Sequence, residues 1–369
     1  MRIAHITAPA QFGGLERVVA SLCLGARERG HEVLLVATVG LNDATPAWAT
    51  KLRTDGVQVE SVRLPVRNYV AEKRQVCYLL QKHRVQVVHT HGYRSDVLHS
   101  AAARALALPC VTTAHGFTRS SPSIRIYEWM QRRAWRRFDA VVAVSTELRS
   151  ALERAGMPPS RIAVIRNGIS SSRLPPLSRG AARGRLGLSE HGRIAGWVGR
   201  FSAEKDPTLA LDALRKSSHM DLELCMLGSG RLLEECRRYA VRCGIGSRVH
   251  LLGAIPDAGS LLSAFDVLVL SSRTEGTPMV VLEAAIARVP VVSTAVGGLP
   301  ELLEQGRGGL LVRHGDPGSL AKAIDSVLAD GAGATTRADH LRARLMNDTS
   351  HGNDWIDQYL HLYQRLLTL

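Results

Sequence analysis

Leu268-Val269-Leu270-Ser271-Ser272-Arg273-Thr274-Glu275-Gly276-Thr277-Pro278-Met279-Val280-Val281-Leu282-Glu283-Ala284 runs from a short apolar stretch, through a polar loop, into a second apolar stretch. The first stretch has the length and composition of a buried strand. The second reads as a helix with Pro278 at its first position, where the missing N–H costs nothing. A buried strand that feeds a helix through a polar loop is half of a parallel βαβ unit, and in such sheets ligands bind beyond the carboxyl ends of the strands. Glu275 sits in that loop. Glu283 shares a helix face with Met279 one turn away, so both carboxylates can face one ligand from different heights. Each can accept hydrogen bonds from vicinal hydroxyls, one set on a sugar and the other on a ribose. The segment Gly276, Thr277, Pro278, Met279 and Val280 brings the early amides of the helix to the same ligand, which favours an anion.

The same alternation extends along the chain in both directions. Strand-like runs fall at 2–8, 31–39, 57–62, 85–91, 110–115, 140–145 and 162–166, then at 193–200, 222–227, 249–252, 267–271, 290–294 and 309–312, with amphipathic stretches between most of them. Residues 170–192 are rich in Ser, Arg, Gly and Pro, lack periodicity, and read as a linker. The expected architecture is therefore α/β: two doubly wound, Rossmann-like domains facing each other across a cleft, at 1–169 and 193–353. The last segment, 354–369, places Trp355, Tyr359, Leu362, Tyr363 and Leu366 at helical spacing and is expected to pack back on the N-terminal domain.

A chain of 369 residues is long enough for two such cores. With 45% hydrophobic and 22% charged residues it is a globular composition, and no apolar run approaches a membrane span. The N-terminus enters a strand pattern at once, so the expectation is a cytoplasmic protein without a secretory signal. The six cysteines form no Cys-x-x-Cys pair and read as reduced core residues. The net charge of +14 is unevenly spread: before Gly168 there are 24 Lys and Arg against 12 Asp and Glu, a balance of +12, leaving +2 for the rest. Such asymmetry points to an acidic partner for the first domain. Its densest cluster, Arg125, Arg132, Arg133, Arg136 and Arg137, is interleaved with Tyr127, Trp129, Trp135 and Phe138. That pattern fits either an interfacial helix on anionic lipid, peripheral on the inner face of the membrane, or a solvated arginine face with its aromatics turned inward.

Gly196-Trp197-Val198-Gly199-Arg200-Phe201-Ser202-Ala203-Glu204-Lys205-Asp206-Pro207 is a second strand, loop and helix start, capped by Asp206 and opened by Pro207. It places Arg200 and Lys205 where a fork and a point charge can neutralise a diphosphate. Near the N-terminus, Gly13-Gly14 follows Pro9-Ala10-Gln11-Phe12 at the mouth of a helix, where backbone amides can approach a phosphate or sugar. His89 and His91 share a strand face with metal-binding spacing. No third ligand and no Asp-x-Asp motif accompany them, so no metal or other cofactor is expected, and the pair reads as polar lining.

These residues resemble the retaining family 4 glycosyltransferases, the group 1 glycosyl transferases of the GT-B fold. The match spans nearly the whole chain: Gly13-Gly14, His89-Thr90-His91-Gly92, Thr113-Ala114-His115-Gly116, Val144-Ser145, Asn167-Gly168, Gly199-Arg200 with Lys205, Gly228-Ser229-Gly230, Glu275 and Glu283, and Gly297-Gly298-Leu299-Pro300-Glu301. The resemblance implies transfer of a sugar from a nucleotide-diphosphate sugar to a hydroxyl acceptor, in cell-surface polysaccharide or glycolipid assembly, with anomeric retention and without a metal. It implies that Arg200 and Lys205 hold the diphosphate, Glu283 the ribose and Glu275 the transferred sugar, with His115 and the glycine loop reaching that sugar from the other domain. Arg288 departs from the family, which has glycine there. Two other functions fit part of the pattern: a sugar-nucleotide epimerase of the same architecture, and a basic nucleic-acid-binding protein, for which no nucleic-acid motif is present.

Overall fold

The computed structural model describes residues 1–8, 13–65, 68–115, 122–169, 175–347 and 354–368. Pro9 to Phe12 of the glycine turn, Gly116, the Arg125 side chain and residues 170–174 lie outside the described residues. The chain divides into two compact units, Met1–Asn167 together with Asn353–Leu369, and Gly168–Gly352.

The first unit is built on seven strands, β1 (Arg2–Thr7), β2 (Glu32–Gly40), β3 (Gln58–Leu64), β4 (Val87–His91), β5 (Cys110–Ala114), β6 (Ala140–Ala143) and β7 (Ile162–Val164). They lie in the order β3-β2-β1-β4-β5-β6-β7, all pairs parallel. A parallel sheet is covered on both faces, which is why runs such as Val33 to Ala37 are apolar without alternation and wholly buried. The second unit repeats the plan with β8 (Arg193–Val198), β9 (Leu222–Leu227), β10 (Val249–Gly253), β11 (Val267–Leu270), β12 (Val291–Thr294) and β13 (Leu310–Val312). Their order is β10-β9-β8-β11-β12-β13. In each sheet the winding reverses beside the first strand, between β1 and β4 and between β8 and β11, and these are the points where ligands bind in such folds. Every apolar run read as a strand is one, since strands buried on both faces leave the least ambiguous trace in a sequence.

Asp96 fastens the arginine-rich helix Pro122–Trp135 to the first sheet. Its buried carboxylate accepts from Thr90 Oγ1 (2.6 Å) and Thr112 Oγ1 (2.8 Å) on one oxygen, and from Gln131 Nε2 (2.7 Å) and Trp135 Nε1 (2.8 Å) on the other. Burial raises its pKa to about 6, opposed by those donors. Trp135 is thereby turned inward while Tyr127 and Trp129 on the same helix remain exposed, so the helix is neither wholly interfacial nor wholly packed.

Two local departures from the sequence reading have clear causes. Within 170–192, Arg179–Leu186 is a helix whose N-cap Ser178 accepts from Ala181 N. Few of its residues are apolar because its anchor is Arg183, buried and donating to the carbonyls of Ala264, Ser189 and Glu190 and to Asp266. Arg288 occupies the left-handed region, φ 54°, where glycine is unstrained, and its guanidinium meets Asp339 at 3.1 Å. The helix end is kept at a conformational cost of roughly 1–2 kcal/mol.

The C-terminal helix Asp354–Leu367 belongs to the first unit. Arg29 donates to Asp357 at 2.5 and 2.9 Å, and Trp355, Tyr359 and Tyr363 are buried. All six cysteines are free.

Candidate active site

In the second unit the candidate donor residues gather at the switch point. β8 and β11 are neighbours, so the loops that leave their carboxyl ends lie side by side. Arg200 follows β8 with an exposed side chain. Lys205 Nζ lies 2.6 Å from Glu275 Oε1, which also accepts from Ser272 Oγ at 2.6 Å. The Glu275 side chain is 7% exposed and that of Lys205 28%. The pair thus holds a carboxylate that is nearly buried and a lysine that still reaches solvent. Gly297 presses on this loop from β12's side: a Cβ there would stand 1.8 Å from the Glu275 carbonyl, and its φ of 57° also favours glycine.

The helix Met279–Ile286 starts one residue later than expected, with Pro278 at the N-cap in extended conformation rather than at the first helical position. Gly276, Thr277, Pro278, Met279 and Val280 form the approach and first turn of that helix, Thr277, Pro278 and Met279 being buried. Glu283 is buried on it. Its carboxyl group lies against the α-carbon of Gly259, where an added Cβ would come within 2.7 Å of Cδ. The recess for Glu283 is therefore carved by a glycine in the 3₁₀ segment Ala258–Ala264, 24 positions earlier in the chain. Asp206 also differs from expectation. It occupies the N-cap position of the helix Pro207–Lys216, yet its side chain makes no capping bond.

In the first unit, Gly13 is the N-cap of the helix Gly14–Glu28, its N–H donating to Glu16 Oε2 at 2.9 Å, and Gly14 is exposed at the first helical position. His115 follows β5 directly, and its Nε2 is shielded from solvent without a partner among the described residues. His89 and His91 on β4 are joined by His5 on β1, which the β1–β4 register sets opposite His89. The sequence offered no third histidine, because 84 residues separate His5 from His89 and only strand pairing unites them. Ligand nitrogens of the three lie within 4.8 Å of one another, a donor set that could hold a metal ion. They also serve one another and their neighbours: His5 Nδ1 and His91 Nε2 are 3.0 Å apart, while His89 meets the Tyr363 hydroxyl at 2.6 Å and Thr113 Oγ1 at 2.9 Å. Burial pulls His5 down to about 3 and His115 to about 4, and His89 and His91 fall well below the ordinary histidine value, each lowered further by the neighbouring histidines. All four are neutral near pH 7 and act as hydrogen-bonding groups rather than cations.

Comparison with known proteins follows the same division. Residues 12–173 match the family described as Glycosyltransferase Family 4, and residues 192–330 the family described as Glycosyl transferases group 1. The UDP-Gal:alpha-D-GlcNAc-diphosphoundecaprenol alpha-1,3-galactosyltransferase of Escherichia coli is 28% identical over 68% of this chain and 68% of its own length. The glycogen synthase of Mycobacterium tuberculosis is 28% identical over 92% of this chain and 88% of its own length. Anabaena Alr3699/HepE in complex with UDP-glucose superposes with a TM-score of 0.87 at 23% identity, covering 100% of both chains. WaaG, a glycosyltransferase involved in lipopolysaccharide biosynthesis, does so with a TM-score of 0.76 at 18% identity, over 98% of this chain and 99% of its own. The fold is GT-B.

Proposed function

This chain is a glycosyltransferase of family 4, the group 1 glycosyl transferases, and on that premise we propose that its donor is a nucleotide-diphosphate sugar bound at the β8–β11 switch point of the second unit. The observation that carries the reading is the Lys205–Glu275 pair at 2.6 Å, with Glu275 in the loop that leads into the helix bearing the buried Glu283. Arg200 and Lys205 hold the diphosphate, the amides at the start of the helix Met279–Ile286 add favourable potential, Glu283 accepts from the ribose hydroxyls and Glu275 from the transferred sugar. In the first unit, His115 and the Gly13–Gly14 turn are the residues we assign to sugar binding.

Transfer proceeds with retention. The bond from the anomeric carbon to the phosphate oxygen breaks, the acceptor oxygen bonds to that carbon on the same face, and the acceptor proton passes to the departing phosphate. Negative charge grows on the leaving diphosphate, and preorganised cations and amides stabilise it more than they stabilise the bound donor. Lys205 can turn from Glu275 to that charge, so no metal is required. The acceptor is a hydroxyl of a cell-surface polysaccharide or glycolipid precursor. Two observations support this: the E. coli relative's name specifies a lipid-linked acceptor, and the first unit is strongly basic. Peripheral contact with an anionic membrane goes with it. Among the described residues no helix is long and apolar enough to cross a membrane. None of these relatives is an epimerase, and no observation favours that alternative or a nucleic-acid binder.

The test is incubation with a panel of sugar nucleotides, with and without lipid-linked and free glycan acceptors, followed by NMR of the product's anomeric proton. Acceptor-dependent release of nucleoside diphosphate with the donor's configuration kept is expected. Conversion of the sugar nucleotide alone, or an inverted product, sinks the reading.

A further inference from the structure

Asp206 is where three loops of the second unit meet. Its backbone is left-handed, φ 42° and ψ 60°, and the residue after it, Pro207, opens the next helix. Instead of capping that helix, the Asp206 carboxylate forms an ion pair with Arg273 at 2.9 Å and lies 3.0 Å from His314 Nε2, both on Oδ2. Arg273 comes from the loop after β11 and His314 from the loop after β13. The backbone repeats the connection. Arg273 N donates to the Glu204 carbonyl at 2.8 Å, and Ser271 Oγ donates to the carbonyls of Lys205 (3.0 Å) and Asp206 (2.7 Å) while accepting from Trp197 Nε1 at 3.0 Å. These bonds tie the turn at Glu204, Lys205 and Asp206 to the loop that follows β11.

The Arg273–Asp206 ion pair does little for stability by itself. The Arg273 side chain is 59% exposed, and an ion pair so open to solvent contributes little to folding. A left-handed non-glycine residue held from two other loops, directly after a lysine that reaches toward Glu275, matches the way functional sites store local strain. We propose that Asp206, gripped by Arg273 and His314, is a positioning residue for Lys205, and that this clamp sets the geometry in which the donor's diphosphate is bound. The inference rests on the assignment of Lys205 to the diphosphate made above. It adds the means by which the lysine is aimed, and names Arg273 and His314 as the outer members.

Calorimetric titration with UDP, ADP and GDP first finds the nucleoside diphosphate that the unmodified protein binds. With that probe, Asp206→Asn is expected to weaken binding about tenfold, while the melting temperature stays near that of the unmodified protein. Asp206→Gly keeps the left-handed backbone at no steric cost and removes the carboxylate, so the same loss is expected. Introduced into a Lys205→Ala protein, either change should add nothing, because the carboxylate acts through the lysine. Arg273→Gln, at a largely exposed side chain, carries the same cycle if an Asp206 variant does not fold. Unchanged affinity in Asp206→Asn or Asp206→Gly overturns the proposal. So does an equal further loss in the Lys205→Ala background, which would mean that Asp206 acts by another route. Full affinity in Lys205→Ala alone instead removes the donor assignment itself, and the clamp's role with it.

Discussion

Lys205 and Glu275 form a 2.6 Å ion pair between loops that leave two neighbouring parallel strands. The two charges neutralise each other, so in the proposed donor complex a diphosphate beside Lys205 would compete with Glu275 for the ammonium and leave the carboxylate free to accept from a sugar hydroxyl. Glu275→Gln and Glu283→Ala should each lower kcat/KM by roughly tenfold to a hundredfold, the worth of one hydrogen bond to a charged group. The melting temperature should move little for Glu275→Gln, because the lysine left behind can be solvated. Near-normal turnover in either variant would refute these roles.

Gly259 supplies a separate check on Glu283 that leaves the carboxylate in place. Gly259→Ala sets a methyl group 2.7 Å from Glu283 Cδ, closer than real contacts allow, so the carboxyl group must shift. Nucleoside diphosphate binding should weaken about tenfold, as for loss of one hydrogen bond to a charged group, with a modest loss of stability. Unaltered affinity measured by calorimetry would detach Glu283 from the nucleotide.

Much of this is legible in the sequence alone, for reasons that differ by residue. Strands buried on both faces announce themselves as apolar runs, so both sheets could be read. Glu275 and Glu283 stood out because they share one loop and helix. What the sequence hid was set by pairing across long separations. His5 joins His89 only through the β1–β4 register, Gly259 meets Glu283 only through packing, and Asp206 looked like an ordinary helix cap although its carboxylate is taken by Arg273 and His314. The helix within 170–192 was missed because a buried arginine, Arg183, does the anchoring that an apolar residue performs elsewhere.

The buried histidines make the first unit acid-sensitive. A histidine whose folded pKa is depressed contributes stability above its unfolded value of about 6.5 and loses it as pH falls toward the folded value. At pH 5, His5, held down to about 3, costs about 2 kcal/mol, and the half-buried His115, with His89 and His91, acts in the same direction. Asp96, raised to about 6, works oppositely but returns only about 1.4 kcal/mol over the same step. The histidines win. Hydrogen exchange in β1 and β4 should accelerate between pH 7 and 5 after correction for the intrinsic rate, and His5→Gln should flatten that dependence. Protection that is constant or rises toward pH 5 would show that these groups are already charged in the fold.

Transfer should survive EDTA if, as proposed, Arg200 and Lys205 stabilise the leaving diphosphate in place of a divalent cation. Metal analysis of the purified protein belongs with this experiment, because His5, His89 and His91 form a nitrogen donor set in the first unit. Complete loss of activity, restored by a divalent cation, would show that the two cations are insufficient.

The membrane proposal can be sharpened by the helix Pro122–Trp135. Ile126, Tyr127 and Trp129 are exposed on it, while its one acidic residue, Glu128, is buried. Arg133 lies over the Trp129 ring at 5.2 Å, and Tyr127 stacks on Tyr93 at 5.4 Å. The exposed side chains are thus aromatic and basic together, the combination that suits the headgroup boundary of an anionic bilayer. Each Lys or Arg near such a surface contributes about 1 kcal/mol, and the attraction fades with salt. Sedimentation with anionic vesicles should pull the protein down at low salt and release it at high salt, and neutral vesicles should bind it weakly. Changing Arg132, Arg133, Arg136 and Arg137 together to Ser should abolish the salt-sensitive part. Trp129→Ser should instead weaken binding by a similar factor at both salt concentrations, because the burial of an aromatic ring is not screened. Equal binding to neutral and anionic vesicles, or none to either, would leave the basic surface of the first unit to an acidic glycan or to the donor itself.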